Sequence, residues 1–158
     1  LADGKVATGR RLNLHGALTT STNRPLNDDF ANARALYGDT VLVRTANYGA
    51  TAEPGQPAIH GSANANTLWF TFTSPASGTT SVRVPDTNYV FDPMTTETLA
   101  IPQGVIPTVT EVFTGSALNS LASVASGTNA LTFTAAAGVT YRIAVAGQSG
   151  AQGLIMLE

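Results

Sequence analysis

Residues 67–73, Thr-Leu-Trp-Phe-Thr-Phe-Thr, alternate strictly in polarity. Successive side chains of a strand point to opposite faces, so Leu68, Phe70 and Phe72 share one face and Thr67, Trp69, Thr71 and Thr73 the other. Threonine and aromatic residues suit a pleated, half-buried surface, and Ser74-Pro75-Ala76-Ser77-Gly78 ends the run with turn chemistry. The pattern predicts a central strand with Leu68, Phe70 and Phe72 in the core. Trp69, the single tryptophan, faces either a second apolar layer or the outside. The same period recurs in short runs over residues 79–84, 108–113, 121–124, 130–134, 140–146 and 153–157, separated by Gly, Ser or Asn turns. Spacing of about ten residues, with no long helical pattern, predicts an all-β sandwich.

Upstream, residues 40–48 read as a strand with Val41, Val43 and Thr45 on one face and Leu42 and Arg44 on the other. Before it, Asn27, Asp28 and Asp29 precede an Ala-rich run with Phe30, Ala33 and Leu36 at helical spacing, which predicts a capped helix of about two turns. Residues 19–26 have the composition of a linker. Residues 93–108 hold Pro93, Pro102 and Pro107, which argue against a central strand, yet Leu99, Ile101, Val105 and Ile106 are too apolar for a bare loop. The expected element is an edge flap folded back on the sandwich. Residues 1–18 read differently from the rest: Lys5, Arg10, Arg11 and His15 cluster there, and Gly16 weakens the short helix that Leu12, Leu14 and Leu18 would line. No internal repeat is visible.

Composition narrows the function classes. At 158 residues the chain is long enough for one domain with a core. Charged residues are 11%, and Thr, Ser, Ala and Gly take the place of the usual Lys and Glu, while 43% hydrophobic residues exclude a disordered chain. Eight Lys and Arg residues and a net charge of −2 argue against a nucleic-acid partner, because phosphate binding needs clustered cations. No apolar run suggests a membrane span. Zero cysteines rule out disulfides and thiolate metal sites. The chain begins at Leu1 rather than Met with no signal-peptide pattern, so a fragment or processed form is expected.

Two stretches carry resemblances. Gly4, Lys5, Val6, Thr8, Gly9, Arg11, Leu12, Asn13, Ala17 and Leu18 follow the pattern "G-K-V-x-T-G-G-R-L-N-x-x-x-A-L", with Arg10 in place of the second glycine. This resembles the closing segment of the catalytic domain of subtilisin-like serine peptidases. Residues 27–33 (Asn-Asp-Asp-Phe-Ala-Asn-Ala), 49–57 (Gly-Ala-Thr-Ala-Glu-Pro-Gly-Gln-Pro) and 69–78, from Trp69 to Gly78, then follow "N-D-x-F-A-N-A", "G-A-T-x-E-P-G-E-P" and "W-x-x-F-x-A-P-x-S-G" in order. Phe91-Asp92, residues 112–115, 121–125 and 137–147 continue the series. Residues 27–158 thus resemble a bacterial pre-peptidase C-terminal domain. The resemblance implies a jelly-roll-type β-sandwich appended to a secreted or cell-surface bacterial protein, with an upstream peptidase catalytic domain as its partner. Residues 93–108 depart from that family's pattern, which runs almost directly into the next strand.

Candidate chemistry is sparse. His15 and His60 are the only histidines; His60 lies two residues from Ser62, which is not the geometry of a hydrolytic triad, and Gly115-Ser116-Ala117 lacks the second glycine of a nucleophile elbow. The expectation is a noncatalytic chain. Asp28, Asp29, Glu53, Asp86 and Asp92 fall at turns or strand ends, and calcium takes oxygens from carboxylates, Asn side chains and carbonyls. The resemblance implies that calcium binding is within the family's repertoire, and Asn27, Asp28, Asp29 and Glu53 are the candidate ligands. The family's additional acids are absent, since Gly127, Thr128, Asn129 and Ala146 stand at those positions. The alternative is that Asn27 or Asp28 caps the helix. Tyr48, Trp69 and Tyr89, with Tyr37 and Tyr141 also in view, are candidates for a stacking face toward peptide or sugar. Two functions follow: an accessory module of a secreted subtilisin-like peptidase, aiding export, stability or engagement of a protein or polysaccharide substrate and open to cleavage on maturation, or a carbohydrate- or surface-binding β-sandwich module.

Overall fold

The computed structural model describes residues 24–63, 66–85, 88–91, 98–101 and 106–158. The subtilase-like segment of residues 1–18 lies outside them, as do Asp86 and Asp92. The described chain is all-β and sandwich-like. β1 (Arg34–Leu36), β3 (Thr67–Thr73), β10 (Thr140–Gly147), β7 (Thr108–Thr114) and β8 (Ala122–Thr128) form one sheet in the order β1-β3-β10-β7-β8. All its pairings are antiparallel except β1 with β3, which is parallel.

The opposite layer is built from two pairs, β2 (Val43–Ala46) with β11 (Leu154–Leu157), and β4 (Gly78–Arg83) with β9 (Ala130–Ala135). Arg83 and Glu158 exchange backbone hydrogen bonds of 2.8 Å in both directions, which aligns the pairs as β2-β11-β4-β9. Among the described residues, β5 (Asn88–Phe91) and β6 (Thr98–Ile101) pair only with each other. The expected flap therefore contributes a strand to a hairpin; its remaining residues up to 105 lie outside the described set.

Alternation explains the main core. Leu68 and Phe70 of β3, Ile143 and Val145 of β10 and Val112 of β7 point between the layers and meet Val82, Leu131, Phe133, Ile155 and Leu157 of the second layer. β9 shows the period most plainly, with Leu131, Phe133 and Ala135 buried and the residues between them exposed. Phe72 sits at the edge of this core and is only partly buried.

The other face of the large sheet is also covered. Trp69 is fully buried there, in a second cluster with Phe30, Ile59, Val109, Phe113, Ala144 and Ala146. In register, Ala144 lies beside Trp69 on the neighbouring strand, and its small side chain leaves room for the indole. The cover is not a sheet. It is mainly an irregular strap, residues 24–33 and 50–63, which buries Phe30 and Ile59 and adds Ala33, with Leu118 and Leu121 packed at the cluster's margin. Trp69 thus faces the second apolar layer.

The expected two-turn helix is replaced by a single 3-10 turn, Phe30–Asn32, followed at once by β1. Its physical cause lies in tertiary contacts that outweigh local propensity. Leu36 aligns with Phe72 along β3, and Phe30 packs edge-on against Trp69 with centroids 5.1 Å apart. A continuous helix would carry those residues along one axis and forfeit the pairing to β3.

Candidate functional site

The four residues expected to hold calcium do converge, on the strap. Asn27 pairs with Trp69 in both directions: its carbonyl accepts the Trp69 N–H at 2.8 Å, and its Nδ2 donates to the Trp69 carbonyl at 3.0 Å. Asp28 is 2% exposed and accepts from the Thr51 N–H at 2.6 Å, the Thr51 hydroxyl at 3.0 Å and the Arg24 Nε at 2.5 Å. Arg24 also reaches Asp29 at 2.8 Å and the Thr51 hydroxyl at 2.9 Å. Its hydrogen bond to Asp28 raises the guanidinium pKa above its ordinary value. Glu53 Oε2 accepts the Phe30 N–H at 2.5 Å.

Both Asp28 oxygens are therefore taken by donors of the chain itself, and a guanidinium occupies the place of a cation. The helix-cap alternative for Asn27 and Asp28 is corrected, because the helix is replaced by a 3-10 turn with no side-chain cap from either residue. Neither caps a helix: Asn27 extends the ladder beside β3, Asp28 fastens Thr51, and the first N–H of the 3-10 turn is capped from a distance by Glu53. Among the described residues no group of three or more His, Asp or Glu side chains is disposed to hold a metal. Arg24 and Pro25, read from composition as the end of a linker, belong to the strap, since the Pro25 carbonyl accepts from the Asp28 N–H.

Of the three aromatic candidates, two have described side chains, and these differ in exposure. Trp69 is buried beneath Phe30 and Phe113, so its ring serves the core and is closed to any ligand. Tyr48 is half-exposed, at 52%, and the side chain of Tyr89 is not among those described. Among the described side chains the most exposed aromatic is Tyr37, at 84%.

A cluster that spacing along the sequence did not reveal joins His60, Glu111 and Ser126. His60 and Gly61 have φ of 48° and 75°, as the centre of a tight I′-type turn requires, and Ile59 and Ser62 bridge across it. This turn plugs Ile59 into the second apolar cluster. Glu111, largely buried on β7, accepts the His60 backbone N–H at 2.6 Å, and His60 Nδ1 lies 2.9 Å from Ser126 Oγ. The carboxylate engages the backbone and not the imidazole, so it does not orient the ring as the acid of a triad does. Its service is to hold the turn. Only the cross-strand alignment of Glu111 with Ser126 brings these residues together.

At the opposite end of the sheet, depressions flank β1. One, of about 250 Å³, opens between the layers, with Leu36, Val41, Phe72, Val82 and Ile143 as its apolar lining and Asp39, Arg83 and Glu158 also at its walls. Another, of about 320 Å³, lies against Ala35, Tyr37, Thr71, Thr73 and Pro75. Leu36, Gly38 and Asp39 border both.

Searches against family models, curated proteins and solved structures return no match to this chain.

Proposed function

We propose that this chain is a noncatalytic, jelly-roll-type accessory module carried C-terminal to the catalytic domain of an exported bacterial subtilisin-like peptidase. Its place is the secreted protein or the cell surface. The observation that carries this reading is the interlock of the motif residues. The stretches that resemble the pre-peptidase C-terminal pattern, around Asn27-Asp28-Phe30, Thr51-Ala52-Glu53 and Trp69, fasten to one another through backbone and buried side-chain hydrogen bonds. Such residues define a scaffold and leave no nucleophile–base–acid relay among the described side chains. A carbohydrate-binding module has less support, because its central stacking residue, Trp69, is buried.

The test has two parts. The coding sequence upstream of Leu1 should contain a subtilisin-like serine nucleophile motif. The purified chain should leave casein intact, and Ser62→Ala, Ser126→Ala and His60→Ala should change nothing in that assay. Hydrolysis by the chain that disappears in Ser126→Ala or His60→Ala would overturn the noncatalytic reading. An upstream region that encodes no peptidase would overturn the partner.

A further inference from the structure

β1 ends its sheet. It is bonded to β3 on one side and pairs with no other described strand. Arg34, Ala35 and Tyr37 are exposed along it, and Gly38, with φ of 101°, turns the chain away at its end. An unpaired strand edge presents a row of backbone donors and acceptors and serves as a template for another chain.

What distinguishes this edge is a hollow on each of its faces. Ala35 shares the outer face with Thr71, and Leu36 shares the inner face with Phe72. The inter-sheet cleft opens on the Leu36 side, and the threonine-lined hollow beside Tyr37 on the Ala35 side. A polypeptide laid along β1 as an added strand sends successive side chains to opposite faces, one toward each hollow. Main-chain pairing with pockets for alternate side chains is the mode by which sheet edges bind extended peptides.

We propose that the edge of β1 that is unpaired among the described residues binds an extended polypeptide segment by strand addition, with an aliphatic side chain in the inter-sheet cleft and a small or hydroxyl-bearing neighbour beside Tyr37. The site rests on the accessory-module reading and names protein, rather than polysaccharide, as what the module engages. Charge completes the description. Arg34 stands at one end of the edge and Asp39 just beyond the other, and neither makes an ion pair among the described residues. The favoured segment carries an acidic residue opposite Arg34 and a basic residue opposite Asp39, which also selects its direction.

The test uses the full 158-residue chain and two fluorescein-labelled, end-blocked peptides, Glu-Thr-Leu-Thr-Leu-Thr-Lys and its reverse, Lys-Thr-Leu-Thr-Leu-Thr-Glu. A third peptide with proline at its centre cannot add as a strand. One of the first two should bind saturably and more tightly than its reverse, and the proline peptide should not bind. Amide shift changes on titration should map to residues 34–39, 71–73 and 80–83. Tyr37→Ala should weaken binding by roughly tenfold. The double variant Arg34→Glu/Asp39→Lys should exchange the ranking of the two peptides. All three positions are exposed, and the amide spectrum of each variant verifies its fold. No saturable binding of either peptide would overturn the edge site. So would equal binding of the proline peptide, a ranking that charge reversal leaves unchanged, or shift changes that map elsewhere. These results bear on the edge alone; the accessory-module reading falls only on the upstream sequence or on the casein assay.

Discussion

The two faces of the five-stranded sheet are closed by different means. On the inner face, the row Phe70–Ile143–Val112 crosses three neighbouring strands and meets a second β layer, so each apolar residue is matched by a regular partner. On the outer face, the row Trp69–Ala144–Glu111 meets an irregular strap that supplies Phe30 and Ile59 and is otherwise held by polar bonds from Asn27, Asp28, Glu53 and Glu111. One strand, β3, serves both. Burial alone would make the faces look equivalent, since Trp69 and Phe70 are each 0% exposed. Their cooperativity should differ, because a segment with few apolar contacts opens at lower free energy than the core strands beneath it.

The largest effect is expected from Phe70→Ala. Removing a buried aromatic side chain costs about 3–5 kcal/mol, and here the loss should appear as a lower denaturant midpoint for the whole domain. Trp69→Ala removes an even larger side chain, but its cavity adjoins the strap, which is freer to collapse than a sheet. Its cost should fall toward the lower end of about 3–5 kcal/mol, with the strap amides exchanging before those of β10 and β7. Equal acceleration of exchange in both regions would erase the distinction between the faces.

Asp28→Ala should come next. It leaves the Thr51 N–H without its acceptor, at a cost of about 1–3 kcal/mol, read from chemical denaturation. Glu111→Gln keeps an acceptor for the His60 N–H and should cost less than about 1 kcal/mol, whereas Glu111→Ala should approach the Asp28→Ala value. The smallest effect concerns metal. With Arg24 seated on Asp28, thermal melts in EDTA and in millimolar calcium should coincide. An ion at 100 times its Kd would add about 2.7 kcal/mol and raise the midpoint by several degrees.

The same contrast separates what could be read from the chain. Strict alternation identified β3 and placed β4, β7, β9, β10 and β11 to within a residue or two at most ends, because each faces a regular apolar layer. β1 is hidden in the sequence: Phe30, Ala33 and Leu36 have helical spacing, but Phe30 and Ala33 pack on the outer cluster while Leu36 pairs with β3 beside the inner one. The 93–108 stretch conceals β6 because the short run Thr98–Ile101 lies between prolines that argue against a central strand. Asn27, Asp28 and Glu53 were recognised as a group and their convergence was legible. Their hydrogen-bond partners were not, since the linker-like composition around Arg24 gives no sign of its pairing with Asp28, and nothing local reveals that Glu53 accepts the Phe30 N–H across 23 positions. His60, Glu111 and Ser126 are joined only by the register of β7 with β8 and by a tight turn, which no spacing along the chain records.

The motif residues are expected to bind the strap to the sheet as one unit. Native-state hydrogen exchange at the Phe30 and Thr51 amides in the unmodified chain, Glu53→Ala and Asp28→Ala tests this most directly. Glu53 accepts only the first of these amides and Asp28 only the second among the bonds described here. If the strap is a unit, each substitution should accelerate exchange at both amides by a similar factor while leaving the β10 amides slow. Acceleration confined to the amide whose own acceptor was removed would contradict that expectation.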